Sequence, residues 1–512
     1  MRKGQKSCKA SCKLLQWVRL DIEPRLDVWQ LYRMSSYPKI KFGTSGWRGL
    51  IARDFTFDNV RVAAQAVADY LTAERKDPAS PLAALKPLVI LGHDARFLGS
   101  DFALAVAEIL EQNGYEPLLC EGPTPTPVIA FLIRAKKALG GINLTASHNP
   151  PEYQGFKFST WNGAGAPAEI TSRVEARIAE LQQSGWEPKV KLPGQYTCAT
   201  IDPHELYFAE IRKFIDFNVL AQSKIKVAVE LMYGAGRGYL DTLLESAGVE
   251  IIRLHNESNP LFGGHRPEPN AEGMAQAREL VLAGKATLGL GVDGDADRFG
   301  VVDTDGTLLV PNQILALALY HLVKNRGWTG SVVRTVPTSH LVDAVASIYG
   351  VKVHETPVGF KYIGALMESE PIIVGGEESG GLSVKGHVPE KDGVLATLLM
   401  AELVAKEGRS LGSILKEIQD KAGYYYSDRI NIAVAPDKKA GLLSRLGAGV
   451  DRIGDFKVQS LNKMDGFKFL LDDGEWVAFR ASGTEPVFRC YIEARTPAHL
   501  EALKTACQAL LD

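Results

Sequence analysis

Residues 286–298 read ATLGLGVDGDADR, an apolar, glycine-bearing run that ends in aspartates at every second position. The run is short and stops at turn residues, which is the pattern of a buried strand rather than of a helix. It closes a longer stretch in which residues 224–298 run KIKVAVELMYGAG, GYLDTLLESAG, VEIIRLHNESNP and ATLGLGVDGDADR. The same order of parts occurs twice more. Residues 86–150 run PLVILGHDARFLG, DFALAVAEILEQ, YEPLLCEGPTPTP and ALGGINLTASHNP, and residues 330–381 run GSVVRTVPTS, HLVDAVASIYG, VKVHETPVGF and EPIIVGGEESGG. Each copy alternates β-branched runs with amphipathic helical stretches. That alternation predicts an α/β fold with mixed, largely parallel sheets covered on both faces. Ligands of such sheets sit beyond the carboxyl ends of the strands. In each copy the third strand ends in a polar loop, TASHNP, DGDADR or GEESGG, so three loops of unlike chemistry are expected to face one cleft.

The last stretch of chain breaks the pattern. WVAFRAS and VFRCYIEA flank the loop ASGTEP, and the helix-like HLEALKTACQALL follows. These predict a smaller C-terminal α+β domain, bordered by the helix near Leu411–Asp420 and by Tyr424. The expected organisation is an N-terminal extension over 1–37, three similar domains over 38–190, 204–306 and 307–420, and a fourth over 424–512. A chain of 512 residues is too long for a single core, which agrees.

The formal net charge of −2 points to no nucleic-acid partner. No uninterrupted apolar run approaches the ~20 residues a spanning helix needs, so no membrane partner is expected either. The six cysteines, Cys8, Cys12, Cys120, Cys198, Cys490 and Cys507, are scattered. Such scatter argues against a disulfide framework and for a reducing, cytoplasmic setting. Cys8 and Cys12 form half of a metal-ligand spacing without a second Cys/His pair nearby. The first 33 residues lack the apolar core of a secretory signal. Met34 then opens MSSYPKIKFGTSGWRG, which reads as an enzyme start preceded by an extension.

Asp293, Asp295 and Asp297 project to one side of an extended segment because they alternate with Gly294 and Ala296. Their mutual repulsion is relieved by a hard divalent cation, and ligation by few oxygens suits magnesium. A solvated acidic turn is the plainer alternative. An EF-hand fits badly, since its glycine and glutamate positions fall on Arg298 and Thr304. Ser147 in TASHNP is a hydroxyl on a loop after a strand, able to act as nucleophile or phosphoryl carrier, or merely to cap a turn. Lys157 is a nearby cation for phosphate charge. Glu377 and Glu378 sit in a glycine-rich loop whose carboxylates suit sugar hydroxyls, although a plain turn reads equally well. Arg480, Ser482, Gly483 and Thr484 combine a guanidinium, hydroxyls and a mobile backbone that can wrap a phosphate, or make a hairpin. No G-x-S-x-G elbow and no G-x-x-x-x-G-K-[ST] loop is present, and Tyr239 spoils a dinucleotide fingerprint after Gly234-Ala235-Gly236.

GTSGWRG, TASHNP with the downstream GFK, DGDADR, GEESGG and RASGTEP, in that order from about Lys39 onward, resemble the α-D-phosphohexomutase superfamily. Within it the chain is most similar to phosphoglucomutases and phosphoglucomutase/phosphomannomutases. The resemblance implies four domains around a central cleft and interconversion of hexose 1-phosphate with hexose 6-phosphate. It implies a phosphoserine at Ser147, with one Mg2+ per chain held by Asp293, Asp295, Asp297 and the Ser147 phosphoryl group. A hexose 1,6-bisphosphate would be intermediate and activator. Glu377 and Ser379 would hold sugar hydroxyls, and Thr356, Gly359 and Lys361 would lie around the sugar. Arg480, Ser482, Gly483 and Thr484 would grip the phosphate that is not reacting, and Arg48, Lys157 and Arg298 would be active-site cations. The partners implied are small sugar phosphates, for a monomer or homodimer.

Rival readings are a phosphoglucosamine mutase and a non-catalytic sugar-phosphate-binding regulator. One departure bears on proton transfer. Many members of the phosphomannomutase type carry a histidine two residues beyond the loop serine, where this chain has Gly381. Lys391, Lys157 and His148 are the candidates to replace it, and a lysine among cations and partly desolvated is expected to have a lowered pKa.

Overall fold

The computed structural model describes residues 40–511 apart from 44, 192–195 and 482–486. The N-terminal extension, with Cys8 and Cys12, therefore lies outside the described residues.

Three sheets share one plan. In the first, β2 (Leu88–His93) lies parallel to both β3 (Glu116–Cys120) and β4 (Gly140–Leu144). In the second, β7 (Lys226–Glu230) lies parallel to β8 (Glu250–Leu254) and β9 (Leu288–Val292). In the third, β12 (Ser331–Thr335) lies parallel to β13 (Lys352–Thr356) and β14 (Ile372–Glu377). The central strands β2, β4, β7, β9, β12 and β14 are largely buried runs rich in Val, Ile, Leu and Gly, as parallel strands covered on both faces require, while β8 and β13 lie at sheet edges and are more exposed.

Each third strand then turns back into an antiparallel partner. The partners are β5 (Tyr153–Thr160), β10 (Phe299–Val302) and β15 (Gly381–Val384), paired with β4, β9 and β14. The three polar loops are thus three topologically equivalent turns at the carboxyl ends of central strands, which is why they converge. Edge strands complete the sheets. β1 (Trp47–Leu50) pairs with β5, and β6 (Ala199–Ile201) pairs with β3 from beyond residue 190. β11 (Leu308–Leu309) pairs with β10 from beyond residue 306.

The fourth sheet is antiparallel, in the order β16 (Tyr426–Ala433), β21 (Val487–Ala494), β20 (Trp476–Ala481), β19 (Phe467–Leu471), β18 (Phe456–Asn462), β17 (Arg452–Ile453). Helix Pro497–Leu511 packs on it through Leu503, Cys507 and Leu511. One apolar core runs continuously from helix Thr126–Lys136 through the second and third sheets to helix Leu411–Ala422. The fourth sheet encloses a core of its own, from Ile432 to Leu511. Among the described residues no helix is long and apolar enough to cross a membrane.

Candidate active site

The β4–β5 turn holds Ser147 in the left-handed region, at φ 52°, a conformation that costs a non-glycine residue energy and persists only when its surroundings impose it. The imposing group is Arg96. Its guanidinium donates to the carbonyls of Ser147 and Asn149 at 2.6 Å, of Pro150 at 2.7 Å and of Tyr153 at 2.9 Å. Its Nε donates to Asp94 at 3.0 Å, and Asp94 also accepts from the Thr145 hydroxyl at 2.6 Å. Burial pushes the Asp94 carboxyl up, with Arg96 opposing. Sequence reasoning missed Arg96. Its only signal was the GHDAR ending of β2, which motif chemistry does not single out.

Arg96→Met strands a buried carboxylate and four carbonyls at once. Breaking one side of a buried ion pair costs roughly 3–5 kcal/mol, so a drop of several degrees in Tm is expected by thermal unfolding. An unchanged Tm would mean the turn holds without the guanidinium.

The β9–β10 turn lies against the first. Carboxylate oxygens of Asp293, Asp295 and Asp297, all buried, lie within 4.8 Å of one another. Ser147 Oγ donates to Asp293 Oδ2 at 2.8 Å. Gly294 permits the approach, because a Cβ there would stand 2.7 Å from the Ser147 carbonyl. The turn is clasped from outside its own sheet, since the amides of Thr126 and Gly393 donate to the carbonyls of Asp295 and Ala296 at 2.9 and 3.0 Å. Lys157 Nζ reaches Asp295 Oδ2 at 2.6 Å and Asp297 Oδ2 at 3.0 Å, and Lys391 Nζ reaches Asp297 Oδ2 at 3.0 Å. Thr126, held by Asn143, gives Asp295 Oδ2 a further donor at 2.6 Å.

Burial and the charges of Asp295 and Asp297 drive the Asp293 carboxyl well above the ordinary range. Burial also works against ionisation of Asp297, but Lys157, Lys391 and Arg298 overcome it and hold that carboxyl below the ordinary range. The second oxygens of Asp295 and Asp297 have no hydrogen-bond partner. Orphaned buried oxygens beside a third carboxylate that repulsion keeps from ionising are what a divalent cation satisfies. The residues fit the ion.

The expectation of a lowered lysine pKa fails for Lys157. Burial disfavours its charge, but Asp295 and Asp297 reverse the balance and raise it above its ordinary value. His148 Nδ1 lies 3.3 Å from Ser147 Oγ, and burial with the charges of Arg298 and Arg48 keeps its imidazole far below its usual pKa. Arg48 donates to Asn149 Oδ1 at 2.7 Å. Arg298 lies 3.4 Å from Glu268, and its amide donates to Asp293 Oδ1 at 3.0 Å.

In the β14–β15 turn, Glu377 is buried and its Oε1 accepts the Gly359 amide at 2.8 Å, while burial pushes its carboxyl up. Gly359 starts helix Phe360–Ser369 at φ 127°, which a side chain rarely adopts. Thr356 is buried at the end of β13 with its hydroxyl unpartnered, and Ser379 is half-buried. Lys361 lines one cavity together with Lys157, Asp297 and Glu390.

Gly381 explains itself here. A Cβ at that position would stand 2.2 Å from Lys391 Cδ, so the lysine fills the space a side chain at 381 would need. Arg480 Nε lies 3.1 Å from Asp465 Oδ1, and Ser482, Gly483 and Thr484 lie outside the described residues.

Family comparisons cover the chain nearly end to end. Models described as phosphoglucomutase/phosphomannomutase alpha/beta/alpha domains I, II and III match residues 39–185, 205–306 and 310–422, and the C-terminal domain model matches 430–509. A protein of Thermococcus kodakarensis named phosphoglucomutase/phosphomannomutase is 31% identical over 89% of this chain and 94% of its own. A phosphoglucomutase of Komagataeibacter xylinus is 30% identical over 92% and 90%. A crystal structure from Thermus thermophilus aligns with TM-score 0.78 at 32% identity, covering 93% of this chain and 99% of that one.

Proposed function

This chain belongs to the phosphoglucomutase/phosphomannomutase family and is a mutase acting on phosphohexoses; from that premise we propose that it interconverts hexose 1-phosphate and hexose 6-phosphate through a phosphoserine at Ser147. The observation that carries this reading is the meeting of the first two turns, with Ser147 Oγ 2.8 Å from Asp293 Oδ2 and Lys157 spanning Asp295 and Asp297.

The chemistry follows from that meeting. The bond between phosphorus and Ser147 Oγ breaks as a bond to the free hydroxyl of the sugar monophosphate forms, and the hydroxyl proton passes in net to the serine oxygen, which leaves the serine free and a bisphosphorylated sugar. The sugar turns over, and its other phosphoryl group passes back to Ser147 as the product hydroxyl regains a proton. Phosphoryl transfer asks the protein mainly for alignment and charge neutralisation. Arg48, Lys157 and Arg298 supply cations. Asp293, Asp295 and Asp297 would hold magnesium together with the Ser147 phosphoryl group, and the ion supplies further charge neutralisation when bound.

We assign Lys157, the lysine that spans Asp295 and Asp297, to neutralisation. His148 and Lys391 remain the groups for the hydroxyl proton. Glu377, Ser379, Thr356, Gly359 and Lys361 are read as the sugar contacts, and Arg480 with Ser482, Gly483 and Thr484 as the grip on the other phosphate.

Glucose phosphate is read as the preferred substrate and mannose phosphate as a second one, from likeness in GEESGG and TPVGFKYI. Specificity constants on glucose, mannose and glucosamine phosphates, measured with added bisphosphate, check this. Glucose phosphate is expected to exceed glucosamine phosphate by roughly tenfold or more, the discrimination that one altered substituent supports. A higher constant for glucosamine phosphate would make the amino sugar the substrate, and no turnover of any would leave only a sugar-phosphate-binding regulator.

A further inference from the structure

Among the described residues the third and fourth sheets pack their apolar side chains into separate cores, and polar contacts link the two. Several of them come from one hairpin, the turn between β18 and β19 with its flanks. Asn462 Nδ2 donates to Glu355 Oε1 at 2.6 Å. Lys468 Nζ donates to the Val336 carbonyl at 2.8 Å and lies 3.4 Å from Glu355 Oε2. Between them stands Asp465. One of its oxygens accepts the Val358 amide at 2.6 Å, and the other lies 3.1 Å from Arg480 Nε.

Val358 and Gly359 are neighbours, and the Gly359 amide goes to Glu377. Successive amides of one loop are therefore divided between two carboxylates. One belongs to the turn read as the sugar contact, and the other comes from the sheet that carries Arg480.

We propose that Asp465 is a positioning residue, whose single carboxylate sets the distance between the 356–361 loop and the Arg480 guanidinium and so matches the site to a substrate held by its sugar at one end and by a phosphate at the other. The proposal rests on the reading of these two regions as sugar and phosphate contacts. The two bonds differ in strength in the way such a role requires. The bond to the Val358 amide is short and charge-assisted. The ion pair to Arg480 is the looser contact, because Arg480 Nε stands 3.1 Å from the other oxygen without making a hydrogen bond to it. The carboxylate thus stays with the loop while Arg480 is free to leave it. The phosphate-gripping sheet can then loosen when the bisphosphate turns over, and the same contact re-forms when Arg480 returns.

The test uses the full chain with Asp465→Ala, Asp465→Asn and, as control, Lys463→Ala, an exposed residue on the same turn. Two readouts are taken. The first is deuterium exchange of the peptide covering residues 356–360 without substrate. The second is KM, kcat and the release of glucose 1,6-bisphosphate during turnover of glucose 1-phosphate.

Asp465→Ala is expected to lose protection of that peptide, to raise KM by roughly ten- to a hundredfold, as loss of a charged hydrogen bond does, and to release bisphosphate, with kcat changed far less. Asp465→Asn keeps an acceptor for Val358 but not the charge facing Arg480. It is expected to keep the protection and still raise KM, and this variant decides the matter if the alanine variant is unstable. Lys463→Ala should behave as wild type. Unchanged exchange in Asp465→Ala would show that the contact does not form. Lost protection with unchanged KM and no bisphosphate release would show that it couples nothing. Either result overturns the proposal while leaving the mutase reading intact. A wild-type chain that turns over no hexose phosphate would overturn the reading on which the proposal rests, whatever the exchange shows.

Discussion

Ser147→Ala is expected to cut steady-state turnover by on the order of 10⁴-fold or more, the scale on which enzymes suffer when a covalent nucleophile is removed. The reason is stoichiometric. With no Oγ there is no bond to carry the phosphoryl group between the departing and returning sugar, and the Thr126 hydroxyl beside the cluster is committed between Asn143 and Asp295. The fold should survive. Alanine and serine bear the same penalty at φ 52°, and the hydrogen bond lost to Asp293 is a single one, worth about 1 kcal/mol. Tm should therefore move by a few degrees at most, and a sugar phosphate should still bind. A coupled assay on glucose 1-phosphate without added bisphosphate makes the measurement, with intact-mass analysis to show that the variant carries no phosphoryl group. Undiminished activity would remove Ser147 from the mechanism.

Chelation is expected to silence the enzyme and magnesium to restore it. Three buried carboxylates with oxygens inside 4.8 Å, one of them driven toward its neutral form, are a poor arrangement without a cation. Asp295→Asn removes one charge and one ligand oxygen but keeps the shape, and it leaves Lys157 with Asp297 as a partner. Its affinity for magnesium should fall by roughly 10–100-fold or more, at least the loss that follows alteration of a residue next to a metal ligand. Calorimetric titration with magnesium reads that affinity independently of turnover. Full activity in excess chelator, or wild-type affinity in the variant, would give the aspartates another task.

Much of this was legible from the amino acids alone. The alternation of apolar runs and amphipathic stretches, repeated three times, determined the α/β architecture, because periodicity is a property of contiguous residues and is read without knowing their neighbours in space. The chemistry of Ser147 and of the three aspartates was legible for the same reason, since each group lies within one short turn. Other features came from the tertiary structure. Arg96 holds Ser147 from 51 residues away, Lys157 meets Asp295 from 138, and Asp465 meets Val358 from 107. Lys157 looked like a lysine with a lowered pKa until its two aspartate partners were in place. Gly381 looked like a missing histidine until Lys391 was seen filling its space. These outcomes depend on contacts at hydrogen-bonding distance, 2.6 Å, between distant parts of the chain. The loop motifs specify which groups are offered, and only the packing of the sheets specifies which of them touch.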